Sequence, residues 1–179
     1  MEEKVKVPEG ITASIASTIV TLKGPKGELK RNFLHPRVKV EIKDSSISFS
    51  ALKATKREKT VIGTFVAHTK NMLKGVKEGH VYKLKICSGH FPMNVSMAGS
   101  LLMVKNFLGE KFPRALKLKE GVKVKVEGTE VIVESIDKEI AGQVAADIEK
   151  LTHIRKRDKR IFQDGIYIVN KDGKDMLKA

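Results

Sequence analysis

Between Arg155 and Arg160 the sequence reads RKRDKR, five cations in six positions with only Asp158 opposed. Phe162 and Tyr167 follow, separated by Asp164-Gly165. Cations at this density suit a polyanion, because each neutralised phosphate releases a condensed counterion. Rings beside them suit unpaired bases, which stack on aromatic faces. A basic run alone reads equally well as a solvated charged face, so its meaning depends on the rest of the chain.

Two further segments have the residue types of a contact surface. Ser88-Gly89-His90-Phe91-Pro92-Met93-Asn94 places an aromatic, an imidazole and an amide in a loop between strands. Lys105-Asn106-Phe107-Leu108-Gly109-Glu110-Lys111 adds two lysines and an amide, with Arg114 just beyond. Core packing at a strand end is an equally good account of Phe91 and Phe107.

Catalytic chemistry finds little purchase. None of the histidines (His35, His68, His80, His90, His153) stands in a metal-binding spacing. His68 reads as a structural residue of a helix. Gly24-Pro25-Lys26-Gly27 lacks the spacing of a phosphate loop and precedes no helix, so it reads as a tight turn with exposed lysine. There is no Gly-x-Ser-x-Gly elbow. The single cysteine, Cys87, excludes an internal disulfide and a cysteine-built zinc site, and its strand setting suggests a small buried hydrophobe. The chain is expected not to be an enzyme and to need no cofactor, metal or small-molecule substrate.

Composition agrees with a nucleic-acid partner. The net charge is +14, and the excess is dispersed: residues 1–80 carry 16 basic and 8 acidic residues, and residues 81–179 carry 19 and 13. A spread excess suits a large polyanion touching several faces. Aromatic residues make up 5%, with no Trp. That is too few rings for a module that strips single strands, and fits reading folded RNA by shape and phosphate instead. The opening MEEKVKVPEG has no apolar stretch, and no run approaches the ~18 residues of a membrane helix. A cytosolic location without membrane contact is therefore expected.

The elements that position these segments come as a repeat. VKVEIKDSSISFS from Val38 and VKVKVEGTEVIVE from Val122 both alternate apolar and polar residues across a short polar turn, the pattern of a half-buried hairpin. A helix follows each. Thr55-Lys56-Arg57-Glu58 has capping-box spacing, and Ile62, Phe65, Val66, Thr69, Met72 and Leu73 form a stripe that Gly75 would end. Asp137 can cap the second helix, whose stripe is Ile140, Val144, Ile148 and Leu151. Gly63 and Gly142 fall at equivalent places, where each would let its helix approach the sheet. Before each hairpin a strand (Ile19–Leu22, Leu101–Val104) runs into a basic Gly-Glu turn, and Tyr82–Ile86 opens the second copy with outward lysines. The expected fold is α+β, a tandem duplication of a domain with an antiparallel sheet packed on one α-helix. The expected domains are 1–80 and 81–179, the latter carrying a basic RNA-binding tail as an addition to the repeated scaffold.

Arg160-Ile161-Phe162-Gln163-Asp164-Gly165-Ile166-Tyr167-Ile168, ending at Lys171, resembles the C-terminal signature of the large-subunit ribosomal protein L-six family, called L-nine in eukaryotic naming, in its archaeal and eukaryotic branch. His90-Phe91-Pro92, Asn106 to Lys111 and Lys23 to Gly27 also look like family sequence, and the bacterial Tyr-Lys-Gly-Lys-Gly type segment is lacking. The resemblance implies a structural ribosomal role, with binding to large-subunit rRNA mainly through the second domain. It places that contact near the sarcin–ricin loop and the translation-factor site, beside neighbouring ribosomal proteins. The residues it puts forward as RNA-binding are His90, Phe91, Lys105, Asn106, Lys111, Arg114, Arg155, Lys156, Arg157, Lys159, Arg160, Phe162, Tyr167 and Lys171. Asp164-Gly165 reads as a turn. A free nucleic-acid-binding regulator or chaperone with the same fold stands as an alternative, as does an enzyme acting on a phosphorylated or nucleic-acid substrate.

Overall fold

The computed structural model describes residues 1–43, 45–52 and 54–176. These form two compact units, one of Met1–Gly79 with Ile136–Lys138, the other of His80–Ser135 with Glu139 onward. Asp44, in the polar turn of the first hairpin, lies outside the described residues.

In the first unit the strands β1 (Glu2–Lys6), β5 (Lys39–Lys43) and β6 (Ser46–Ser50) form a sheet of order β1-β6-β5. The strands β2 (Thr12–Ala16), β3 (Ile19–Gly24) and β4 (Gly27–Asn32) form a second sheet in sequence order. All pairings are antiparallel. The β5–β6 register sets Val40 against Phe49 and Ile42 against Ile47, so the alternation read from the sequence delivers both apolar pairs to one face. Phe33, Phe49 and Phe65 close the core, with ring centroids 5.0–5.9 Å apart. Helix α1 (Lys56–Lys77) buries Ile62, Thr69, Met72, Leu73 and Val76 against these sheets.

Its capping box is formed. Thr55 N–H donates to Glu58 Oε2 at 2.9 Å, and the Thr55 hydroxyl donates to the same carboxylate. That hydroxyl bond does most to hold the Glu58 carboxyl at about 2; burial opposes it, and backbone N–H groups and Arg37 assist. Helix α1 runs past Gly75, which is buried inside it, and stops before Gly79 at φ +79°, a conformation glycine adopts without strain.

The second unit repeats the plan. The strands β7 (His80–Cys87), β11 (Val122–Glu127) and β12 (Glu130–Ser135) match β1, β5 and β6, and β8 (Asn94–Ala98), β9 (Leu101–Lys105) and β10 (Arg114–Lys117) match β2, β3 and β4. Helix α2 (Lys138–Leu151) matches α1 and buries Ala141, Val144, Ala145 and Ile148. Two strands have no counterpart. β13 (Gly165–Lys171) pairs with β7, and β14 (Lys174–Asp175) with β13, which extends the sheet to β11-β12-β7-β13-β14.

Sequence and structure agree on the α+β class and the tandem repeat. In each unit the antiparallel strands divide between two sheets, because β3 and β9 pair with both sequence neighbours and leave the hairpin that follows to pair elsewhere. The paired glycines behave differently. Gly142 lets α2 approach β7, since a Cβ there would stand 3.3 Å from the Tyr82 hydroxyl, whereas Gly63 faces open space. Cys87 is half-buried at the end of β7. Among the described residues no helix is long and apolar enough to cross a membrane.

Candidate nucleic-acid interface

The basic segment is a loop closed at both ends between α2 and β13, rather than a free tail. At its start Thr152 is buried and its hydroxyl accepts the Ile166 N–H at 2.8 Å, while Ile154 enters the core. At its end Asp164 is buried. Between them Arg155, Lys156, Arg157, Lys159 and Arg160 are all exposed. Asp158 organises this stretch from within. Its carbonyl accepts the N–H groups of Ile161 and Phe162, and its carboxylate takes the Arg160 N–H at 2.9 Å and the Arg160 guanidinium at 2.8 Å. The guanidinium bond is the main reason the Asp158 carboxyl lies below its ordinary range. Lys159 Nζ lies 3.2 Å from His153 Nε2.

Asp164 and Gly165 do not form a turn. Gly165 begins β13 at φ +157°, with the Tyr167 ring lying over it; a Cβ there would meet that ring at 3.1 Å. Asp164 ties the loop to the segment after β7. Its Oδ1 accepts the N–H groups of Gly89 and of His90 (3.2 Å for the latter), and its Oδ2 lies 2.9 Å from His90 Nδ1. Burial raises the Asp164 carboxyl, and these hydrogen bonds outweigh burial, so its pKa lies below the ordinary value. A carboxylate only accepts, so Nδ1 carries the proton and Nε2 is the imidazole atom left for an outside partner. The His90 ring then stacks on Phe162 at 4.7 Å, and Arg157 covers Phe162 at 4.9 Å. Phe162 thus contacts both the imidazole and the guanidinium.

The β9–β10 connection joins the same end of the unit. Asn106 adopts φ +60° and donates its amide to the Pro92 carbonyl at 3.0 Å. Phe107 is buried, whereas Phe91 is 44% exposed and lies over Gly109. The two aromatics left open by the sequence therefore divide, one to the core and one to the surface. Arg114 covers the Phe107 ring at 4.2 Å, forms a two-pronged bond to Glu110 and donates to the Leu151 carbonyl at 2.6 Å. It is a strut between β10 and the end of α2. Lys105 and Lys111 are exposed on either side of this connection.

Thirteen of the fourteen residues put forward from sequence lie on these three interlocked segments or on the Tyr167 that follows them. Lys171 does not. It stands at the far end of β13, opposite Lys174, about 20 Å along the strand from Gly165 at ~3.3 Å per residue. Sequence reading missed Asp164 and Thr152, which hold the surface together, and two apolar side chains on it, Phe112 at 85% exposure and Ile161 at 64%. Their exposure depends on loop geometry that has no period in the sequence. Among the described residues no cluster of His, Cys, Asp or Glu could hold a metal ion. The surface offers cations, amides, one oriented imidazole and exposed rings, a set that matches phosphates and base edges.

The chain matches the family described as "Ribosomal protein L6" twice, over residues 7–79 and 91–165, one match in each unit. It is 46% identical over 167 residues to "Large ribosomal subunit protein uL6" of Methanosarcina mazei, covering 93% of this chain and 95% of that protein. The protein of the same name from Aeropyrum pernix is 45% identical over 95% of this chain and 94% of its own length. That of Nanoarchaeum equitans is 44% identical, with coverages of 98% and 95%. The family is one of structural ribosomal proteins, not enzymes. With its duplicated α+β units, each matched over most of its length, the chain belongs to the ribosomal protein L6 family.

Proposed function

We propose that this chain is a structural constituent of the large ribosomal subunit, working in the cytoplasm on the ribosome, and that it binds large-subunit rRNA through the interlocked loops of its second unit. The observation that carries this reading is the convergence of residues 88–93, 105–114 and 152–164 on one end of that unit, with Asp164 fastening two of them. Arg155, Lys156, Arg157, Lys159, Arg160, Lys105 and Lys111 neutralise phosphates. His90 Nε2, Asn106 and the exposed faces of Phe91 and Tyr167 fit local RNA shape. Phe162 orients His90 and Arg157 and touches RNA at most by its edge, and Arg114 supports the surface from beneath.

The site on the RNA is the sarcin–ricin loop region beside the translation-factor site, next to other large-subunit proteins, and the contact supports subunit assembly and translation. The support for this location is the resemblance of the segment from Arg160 to Lys171 to the family's C-terminal signature. Sucrose-gradient sedimentation tests the reading: the protein co-migrates with large subunits and survives moderate salt washes. Recovery only at the top of the gradient contradicts it and favours a free regulator. Crosslinking within the particle tests the location, with adducts expected from residues 155–160 to the sarcin–ricin region.

A further inference from the structure

The duplication provides an internal control for surface charge. Helices α1 and α2 occupy equivalent places, so the scaffold makes similar demands on both. Their surfaces are nonetheless opposite. Helix α1 carries Lys56, Arg57, Lys59, Lys70, Lys74 and Lys77, all exposed, and its one acidic residue, Glu58, is buried. Helix α2 carries two lysines against Glu139, Asp147 and Glu149.

Of the cations of α1 only Lys74 and Lys77, in its last turn, suit the macrodipole of the helix. Lys56, Arg57 and Lys59 sit in its first turn, where the positive end of the macrodipole disfavours them. Lys56 with Lys59, and Lys70 with Lys74, are like-charged neighbours along one face, which also costs stability. Between these two ends the solvent face is low, made of Thr60, Gly63, Thr64 and Ala67, all exposed. Lys59 and Lys70 are about 16 Å apart at 1.5 Å per residue, so two cationic patches flank a smooth centre.

The centre has a defined hydrogen-bond polarity. Thr60 Oγ1 donates to the Lys56 carbonyl at 3.0 Å, and Thr64 Oγ1 donates to the Val61 carbonyl at 2.7 Å. With its single proton so used, each hydroxyl retains acceptor lone pairs. A matching partner must be a polyanion that donates hydrogen bonds from a shallow surface. The minor groove of an RNA duplex does so through its 2′-hydroxyls, between two rows of phosphates.

We infer that the exposed face of α1 is a second RNA-binding surface, specific for A-form duplex, with the lysines at its two ends on phosphates and Thr60 and Thr64 accepting from 2′-hydroxyls. It rests on the ribosomal reading for the presence of RNA, but not on the loops of the second unit.

The test uses the full chain with a 16-base-pair RNA duplex and the DNA duplex of the same sequence, read by fluorescence anisotropy across a salt series. Lys70→Ala/Lys74→Ala/Lys77→Ala should lower the slope of log K against log salt for RNA duplex by about 2–3, at ~0.9 per phosphate on B-DNA scaling. Lys56→Ala/Lys59→Ala should weaken duplex binding while leaving the melting temperature equal or higher, a combination that a purely structural role cannot give. Thr60→Val/Thr64→Val should reduce RNA affinity several-fold and leave DNA affinity unchanged. An unchanged slope in the lysine variants overturns the inference, as does an equal effect of Thr60→Val/Thr64→Val on RNA and DNA binding. Absence of duplex binding by the wild type at low salt overturns it too. If those results come from a protein that still co-sediments with large subunits, only this inference falls. If the wild type fails to co-sediment while duplex binding depends on α1 as described, the ribosomal reading falls instead.

Discussion

The same hairpin ends differently in the two units. In the first, β3 and β4 are joined at Gly24 and Gly27 by a tight turn that packs on the end of α1: Lys26 N–H donates to the Val76 carbonyl at 3.1 Å, and a Cβ on Gly24 would stand 2.7 Å from that oxygen. In the second, the connection between β9 and β10 opens into residues 106–113, and a side chain, Arg114, reaches the end of α2 at the Leu151 carbonyl. One end is closed by backbone and exposes only the turn residues Lys23, Pro25 and Lys26. The other is propped open by a guanidinium and exposes Lys111, Phe112 and the Asn106 loop. The difference teaches that the two copies share a hairpin and close it by different means, and that the divergent connection of the second exposes side chains with no counterpart in the first.

The comparison can be broken most forcefully at Asp164. Asp164→Ala removes a buried carboxylate that accepts from Gly89 N–H, His90 N–H and His90 Nδ1. A loss of about 2–3 kcal/mol is expected from hydrogen bonds to a charged group. Denaturant titration checks it, and RNA affinity should fall with it because residues 88–91 lose their anchor. Arg114→Ala comes next, at about 1–2 kcal/mol, since the Leu151 carbonyl and Glu110 lose a charged donor. Lys26→Ala should be nearly neutral, because the corresponding contact in the first unit uses backbone. The smallest effects separate the copies by sign. Gly63→Ala should stabilise by about 0.5–1 kcal/mol, as its site is open and alanine favours the helix, whereas Gly142→Ala must displace the Tyr82 hydroxyl and should not stabilise. Equal shifts in melting temperature for the two would contradict the different helix–sheet spacings.

Acid acts on both units through carboxylates held below their ordinary range. Glu58 lies at about 2, and Asp164 is also lowered. A carboxylate with a depressed folded-state pKa contributes stability that is present above its unfolded value near ~4 and is lost as pH falls through the folded value. Stability should therefore drop between roughly pH 4 and 2, and Glu58→Gln and Asp164→Asn should each flatten part of that drop in a pH-dependent denaturation series.

The repeated hairpins and helices were legible because half-buried strands and amphipathic helices impose periods on the sequence. Val40, Ile42, Ile47 and Phe49, like Val124, Val126, Val131 and Val133, announce both pairing and face. β1 was not legible: among Glu2–Lys6 only Val5 is apolar, so edge strand and solvated terminus look alike. The charge density of the basic segment was legible in the sequence, but its closure into a loop was not. Its closure depends on Thr152, Asp164 and the pairing of β13 with β7, contacts that join residues far apart in the chain. The intramolecular role of Arg114 was not legible, because a strut and a phosphate ligand use the same guanidinium.

The central claim is that the divergent loops of the second unit, and not its repeated frame, hold RNA. Its most direct test is the salt dependence of binding to large-subunit rRNA for the wild type and for Arg155→Ala/Lys156→Ala/Arg157→Ala, with folding monitored in parallel. These side chains are exposed, so the melting temperature should stay the same while the log–log slope falls by about 2–3 and affinity drops at every salt concentration. An unchanged slope with an intact fold would mean that the cations face solvent in the complex, and would contradict the account.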